Sequence, residues 1–146
     1  MTETWTLPDK IRELVKRGVS IPNPLWVDIG DEVPVEGFSP QGVVLYGGTK
    51  IYGSKTVVAK GVRLGYEGPV TVENCQIGPS VELRGGSFRE SVFLRGAALG
   101  SGAQVREGCL LEEEARGGHG VGLKQTILFP YVTLGSLINF CDCLMA

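Results

Sequence analysis

The chain has one histidine, His119, and no excess of positive charge. Fourteen Lys and Arg stand against 16 Asp and Glu, a formal net charge of −2. Basic residues alternate with acidic ones, as in Val105-Arg106-Glu107 and Phe88-Arg89-Glu90, so there is no basic stripe and nucleic acid is not an expected partner. No apolar run approaches the ~20 residues of a membrane span. The N-terminus lacks the basic-then-apolar pattern of a secretory signal. A cytoplasmic protein without a membrane partner is expected. Cysteine is also sparse, at four residues. Glycine is not: its 22 residues are about twice the usual share. Tight corners, which need positive φ or close backbone approach, account for such an excess.

A rhythm fills the space between those glycines. An aliphatic residue, one spacer and a second apolar or small residue recur every five to seven positions. The pairs include Val43/Leu45, Thr49/Ile51, Thr56/Val58, Val62/Leu64, Val70/Val72, Cys75/Ile77 and Val81/Leu83. They continue through Gly86/Phe88, Val92/Leu94, Ala97/Leu99, Ala103/Val105, Cys109/Leu111, Val121/Leu123, Thr126/Leu128 and Val132/Leu134. Positions i and i+2 of a strand share a face, so each pair is a very short strand with two side chains inward. Gaps of about three residues are too short for hairpin reversals between such strands. The chain can turn a corner and continue, which coils it as a prism with three strands per turn, a parallel β-helix. If so, every third pair stacks: Val72, Phe88 and Val105; Ile77, Leu94 and Leu111; Leu83 and Leu99. Steps within these columns are 16 or 17 residues. The fold class is therefore all-β.

The stacking fixes expectations for the thiols. Cys75 and Cys109 fall on one inward column two coils apart, with Val92 between them. Strands stacked ~4.8 Å apart place them near 9–10 Å. A disulfide needs Cα atoms within about 7 Å, so both are expected free and buried. Cys141 and Cys143 flank Asp142, but the single histidine is far along the chain and further ligands are missing. No metal site is expected.

Residues 1–20 read as a helical cap and 21–146 as one β-helix domain. Leu7-Pro8-Asp9 starts a helix, with proline suited to the first helical position and Asp to the dipole. Ile11, Leu14 and Val15 line its face, Glu13 and Arg17 are spaced to pair, and Gly18 suits the C-terminal cap. Weaker pairs follow at Val27/Ile29 and Val33/Val35. Two corner insertions stand out: Tyr66-Glu67-Gly68-Pro69, and a longer loop from Glu112 to Gly120 that carries His119 between glycines. The sequence ends at Cys141-Asp-Cys-Leu-Met-Ala146 with no capping element, so truncation of a longer coil is expected. A histidine side chain titrates near neutrality and can take a proton from an amine or hydroxyl nucleophile.

From about Val43 onward the chain resembles the left-handed β-helix of hexapeptide-repeat transferases. In particular it resembles the C-terminal domain of the bifunctional N-acetylglucosamine-1-phosphate uridylyltransferase/acetyltransferases and related sugar-nucleotide pyrophosphorylases. The resemblance is carried by Val72-Glu-Asn-Cys-Gln-Ile-Gly78, Ser91-Val-Phe-Leu94, His119-Gly-Val-Gly-Leu123 and Leu134-Gly-Ser-Leu-Ile-Asn139. Left-handedness is implied by it alone, against the general preference for right-handed crossovers. The resemblance implies His119 as catalytic base, Lys124 and Asn139 as acceptor or phosphate contacts, and acetyl-CoA or another acyl-CoA as co-substrate. The acceptor would be an amino sugar or hydroxyl compound, as a sugar phosphate or nucleotide sugar. The chain departs from the acetyltransferases at Lys124-Gln125, where they carry Gly-Asp. It lacks the Gly-x-Gly-Thr-Arg pattern of the nucleotidyl-transferring domain, so nucleotidyl transfer is not expected. The alternative is a non-catalytic oligomerisation or regulatory module. In either case, spacer residues point outward, and Phe93 and Leu110 form the apolar column expected to join a homotrimer, with the His119 loop reaching a neighbour.

Overall fold

The structure is a computed structural model that describes residues 6–146. The first five residues of the expected cap lie outside the described residues. The chain coils about six times, and every strand pairing is parallel, so the domain is a β-solenoid with three faces. Six strands stack on the first face: Val44–Leu45, Arg63–Leu64, Glu82–Leu83, Ala98–Leu99, Arg116–Gly117 and Thr133–Leu134. The second face stacks seven: Asp28–Ile29, Thr49–Tyr52, Val70–Glu73, Gly86–Arg89, Ala103–Val105, Gly122–Lys124 and Asn139–Cys141. The third stacks six: Val57–Val58, Gln76–Ile77, Val92–Phe93, Leu110–Leu111, Ile127–Leu128 and Leu144–Met145.

Each coil contributes inward side chains to one continuous core between the three faces. The expected column Val72, Phe88 and Val105 is in register from strand to strand. Leu83 stacks on Leu99 as expected, with Leu45 and Leu64 earlier in the same column. The third-face column differs. Ile77 stacks on Phe93, and Phe93 on Leu111. Phe93 is 0% exposed, so it is a core residue and not the surface contact that the sequence suggested. The inward pair here is Ser91/Phe93, one residue earlier than Val92/Leu94, and Ser91 is the residue between Cys75 and Cys109.

The corner explains that register. Glu90 adopts φ 45°, as Asn74, Gln125 and Asp142 adopt φ 52°, 47° and 56°. In each case a left-handed residue turns the chain so that the next side chain points inward: Cys75, Ser91, Thr126 and Cys143. These small polar groups take up carbonyls that the corner turns inward. The Thr126 hydroxyl donates to the Lys124 carbonyl at 2.8 Å, and the Cys143 thiol to that of Cys141 at 3.1 Å. Both carbonyls thus find a partner within the chain.

The expected long loop from Glu112 to Gly120 is a regular coil. Arg116–Gly117 pairs with Ala98–Leu99 below and Thr133–Leu134 above. Its inward residues are Ala115, fully buried, and Gly117. A Cβ at Gly117 would lie 2.7 Å from Leu99 Cδ2, so the neighbouring leucine occupies the space a side chain would need. The aliphatic signal is missing because the coil below overfills it. The other insertion is present: Tyr66 to Gly68 bend outward, and the amides of Glu67 and Gly68 both donate to the Arg84 carbonyl at 2.9 Å.

The cap is a helix, α1 (Asp9–Arg17), with Pro8 preceding it and Gly18 ending it at φ 120°. Ile11 and Leu14 are buried against the first coil, but Val15 is 48% exposed and does not share that face. Arg17 does not pair with Glu13. Its Nε donates to the Phe38 carbonyl at 2.7 Å, and Lys10 Nζ donates to the Val33 carbonyl at 2.7 Å. Both tie the helix to the segment below it. Val27 and Ile29 are inward as expected, whereas Val35 begins a 3-10 turn, Val35–Gly37, after Pro34. Proline has no N–H for a strand ladder. Among the described residues no helix is long and apolar enough to cross a membrane.

Candidate functional site

His119 sits on the corner between the first and second faces, where the chain leaves Arg116–Gly117 and enters Gly122–Lys124. Its side chain is exposed. Its backbone is held from both sides. The Gly120 amide donates to the Ser101 carbonyl at 2.9 Å in the coil below, and the Leu137 amide donates to the His119 carbonyl at 2.9 Å from the coil above. The His119 amide itself donates to Ser136 Oγ at 3.2 Å. Gly100 and Gly118 permit this closeness, since a Cβ at Gly100 would meet the Gly118 carbonyl carbon at 2.9 Å and the His119 nitrogen at 3.0 Å. The corner is therefore a stack of tight turns that offers one imidazole to solvent.

Lys124 and Asn139 come together on the outer surface of the second face. Asn139 is the register partner of Gly122, and Lys124 that of Cys141. Gly122 has no side chain, and its absence opens a groove of about 250 Å³ walled by Gln104, Arg106, Lys124, Asn139 and Cys141. The Asn139 amide lies over it: a Cβ at Gly122 would fall 2.0 Å from Asn139 Oδ1. His119 precedes this strand on the corner and does not line the groove. Lys124 and Asn139 thus share a groove, and the histidine stands at its approach along the chain.

Sequence reasoning missed Arg106 and Gln104, which belong to the coil below. The step of one coil from Lys124 and Gly122 along the second-face register points to both residues. Charges around the groove are mixed. The Glu107 carboxyl is held below its ordinary range, first by a hydrogen bond to its own backbone and further by the Arg106, Lys124 and Arg89 cations. The Cys141 thiol is pushed up by its hydrogen bond to Asp142, 3.4 Å away. Among the described residues no three His, Cys, Asp or Glu side chains converge on a point that could hold a metal ion.

No family model matches the chain. It is 31% identical over 113 residues to the bifunctional protein GlmU of Streptococcus suis, an alignment that covers 76% of this chain and 23% of that protein. It is 32% identical over 103 residues to the bifunctional protein GlmU of Oleidesulfovibrio alaskensis, covering 70% of this chain and 21% of that one. The chain is a hexapeptide-repeat β-helix that resembles GlmU. It spans less than a quarter of the length of these relatives. The match in sequence agrees with the coil geometry, since a repeat aligned over about 100 residues needs the same strand spacing in both chains.

Proposed function

We propose that this β-helix takes part in acyl transfer in the cytoplasm. An acyl group passes from the thioester of acetyl-CoA, or another acyl-CoA, to an amine or hydroxyl of a sugar phosphate or nucleotide sugar. His119 is the general base. Its imidazole accepts the acceptor's proton as the nitrogen or oxygen attacks the thioester carbonyl. The tetrahedral intermediate then collapses, the C–S bond breaks, and the coenzyme A thiolate leaves and takes up a proton. Lys124 and Asn139 hold the acceptor, the ammonium by charge and the amide by hydrogen bonds. No metal takes part.

The observation that carries this reading is the placement of His119: an exposed imidazole on a corner with fixed backbone, at the head of the strand that bears Lys124. Similarity to the bifunctional GlmU proteins supports it. The test is to incubate the chain with acetyl-CoA and a panel of amino-sugar phosphates, and to detect acylated product by mass. Turnover is expected, with His119→Ala slower by about 10²–10⁴, the usual share of a general base. Equal turnover by the variant rejects His119 as the base. No acetyl-CoA binding in calorimetry together with no product rejects acyl transfer itself.

A further inference from the structure

The corner that carries His119 borders a second hollow, one coil below the groove of Lys124 and Asn139. It holds about 380 Å³ and is floored by Gly85 and Gly86, with Gly68, Ser87, Ser101 and Gln104 around it. The floor is bare backbone because the coils approach too closely for side chains. A Cβ at Gly86 would stand 2.0 Å from the Ala103 carbonyl oxygen, and one at Gly85 3.3 Å from Ser101 Cα. Corner 118–120 lies directly on corner 100–102, with the Gly120 amide donating to the Ser101 carbonyl at 2.9 Å. Gln104 walls both hollows, so the two form one cleft along the outer surface of the second face. Its ends differ in chemistry. The lower end offers hydroxyls and an amide on flat backbone, and no charge. The upper end has Arg106 and Lys124 on successive coils, where the Arg106 amide donates to the Leu123 carbonyl at 2.8 Å. Arg89, one coil lower, is taken by Glu73 at 4.0 Å. Among the described residues Arg106 and Lys124 have no such carboxylate partner within 4.0 Å, and the Glu107 carboxyl is the anion whose charge they feel.

We propose that this cleft binds a glycosyl phosphate, with the phosphate on Arg106 and Lys124 and the sugar ring over Gly85 and Gly86, below His119. It rests on the acyl-transfer reading only for the role of the histidine, and it deepens that reading by placing the acceptor. A guanidinium and an ammonium on adjacent coils, ~4.8 Å apart, can both meet the oxygens of one phosphate. Gln104 and Arg106 are two residues apart on one strand, ~6.6 Å, close to the span of a pyranose ring between opposite hydroxyls. A phosphate held at Arg106 therefore sends its sugar across Gln104 into the lower hollow. There Ser87, the register partner of Gln104, meets the ring hydroxyls together with Ser101 and the Gln104 amide. A flat floor with a few convergent polar groups accepts a ring where a side chain would block it. An amine or hydroxyl on the upper edge of that ring faces the corner that carries the imidazole. Ser87, Ser101 and Gln104 thus select the sugar, and Arg106 joins Lys124 on the phosphate.

The test reads binding in the absence of acyl-CoA, so it is separate from turnover. Amide shifts of the isotopically labelled chain are followed by NMR as inorganic phosphate, glucosamine 1-phosphate or uridine diphosphate N-acetylglucosamine is added. Inorganic phosphate should shift the signals of Arg106 and Lys124 alone. A glycosyl ligand should also shift Gly86, Ser101, Gly102 and the Gln104 side chain, and bind at least ~10-fold tighter. Ser87→Leu fills the lower hollow from an outward position. It should lose that ~10-fold gain and keep the response to inorganic phosphate, whereas Arg106→Ala should weaken every ligand by about 10-fold. If Ser87→Leu disturbs the fold, Gln104→Ala at an exposed position gives the same reading. The tighter of the two glycosyl ligands identifies the source, free sugar phosphate or nucleotide sugar, and either supports the cleft. Binding in this pattern without acyl transfer keeps the cleft and rejects only the acyl-transfer reading. Glycosyl ligands that bind no tighter than inorganic phosphate, a lower hollow whose signals do not move, or affinity indifferent to both Ser87→Leu and Gln104→Ala overturns the proposal, whatever the outcome for acyl transfer.

Discussion

Phe93 meets Phe88 edge to face inside the coil, with ring centroids 5.8 Å apart and ring planes at 78°. Both rings are fully buried, one from the third face and one from the second, and they fill the same level of the prism. Such a pair adds about 0.5–1.5 kcal/mol to the burial of each ring. Phe93→Ala is therefore expected to lower unfolding stability by about 3–5 kcal/mol through loss of transfer energy and an unfilled cavity. Urea unfolding monitored by circular dichroism measures this. A loss under ~1 kcal/mol would mean that the ring is not in the core.

The hydroxyl of Ser91 performs a different task a few ångströms away. Ser91 Oγ is 2.8 Å from the Arg89 carbonyl and 2.9 Å from the Arg106 carbonyl, and accepts the Cys109 amide at 3.3 Å. It joins two successive coils from a buried position. Ser91→Ala should cost about 1–3 kcal/mol, the penalty for leaving buried polar groups without a partner. Ser91→Cys should recover part of that loss, because cysteine occupies the same column at positions 75 and 109. Equal stability of the alanine variant and the wild type would contradict the bridging role.

How much of this was legible in the sequence depends on which signal is followed. The columns through Val72, Phe88 and Val105, and through Leu83 and Leu99, follow from aliphatic spacing, because both inward positions are bulky and the steps are regular. At Ser91 two overlapping pairs compete, Ser91/Phe93 and Val92/Leu94, and hydrophobicity selects the wrong one. A slip of one residue reverses every side chain of a strand. The corner carries the better signal. The inward residue after Val72, Phe88 and Leu123 comes three positions later, at Cys75, Ser91 and Thr126, each time behind a residue with positive φ. Coil 112–120 was illegible for another reason: its inward positions are Ala115 and Gly117, made small by Leu99 below. Of the candidate site, His119, Lys124 and Asn139 were named through the resemblance, and the meeting of Lys124 with Asn139 appears only in the strand register of the second face. Arg106 was not named, because it contributes from a coil whose own strand shows nothing unusual.

The buried thiols give a prediction in pH. Cys75 and Cys109 are free and buried, as the stacking distance required. Burial pushes the Cys75 thiol up from 9.0 to about 11, and raises that of Cys109 as well. Between these two values an unfolded Cys75 has lost its proton while the folded one keeps it, so unfolding releases a proton. Stability is then fully present below about pH 9 and falls as the pH rises toward 11, by up to about 2–3 kcal/mol from this thiol. Cys75→Ala should remove that part of the alkaline fall. Thiol labelling at pH 8 should modify the exposed Cys141 in the native protein, and Cys75 and Cys109 only after denaturant. An alkaline slope unchanged in Cys75→Ala would show that other groups produce it.

Lys124 and Asn139 meet at the Gly122 groove, and their substitution should separate binding from chemistry. Neither side chain is buried in the core, so Lys124→Ala and Asn139→Ala should leave urea midpoints within about 0.5 kcal/mol of the wild type. If both hold the acceptor in its ground state and transition state alike, each raises KM about 10-fold or more with little change in kcat. Lys124→Arg should recover binding only in part, because the planar guanidinium presents its charge in a different geometry. Gly122→Ala tests the groove without touching either functional group. The added methyl has no room beside Asn139 Oδ1, so it should displace that amide and raise KM as Asn139→Ala does. A kcat loss with unchanged KM in all three alanine variants would place these residues at the reacting atoms. KM and kcat both unchanged would remove the groove from the reaction and leave His119 without an acceptor beside it.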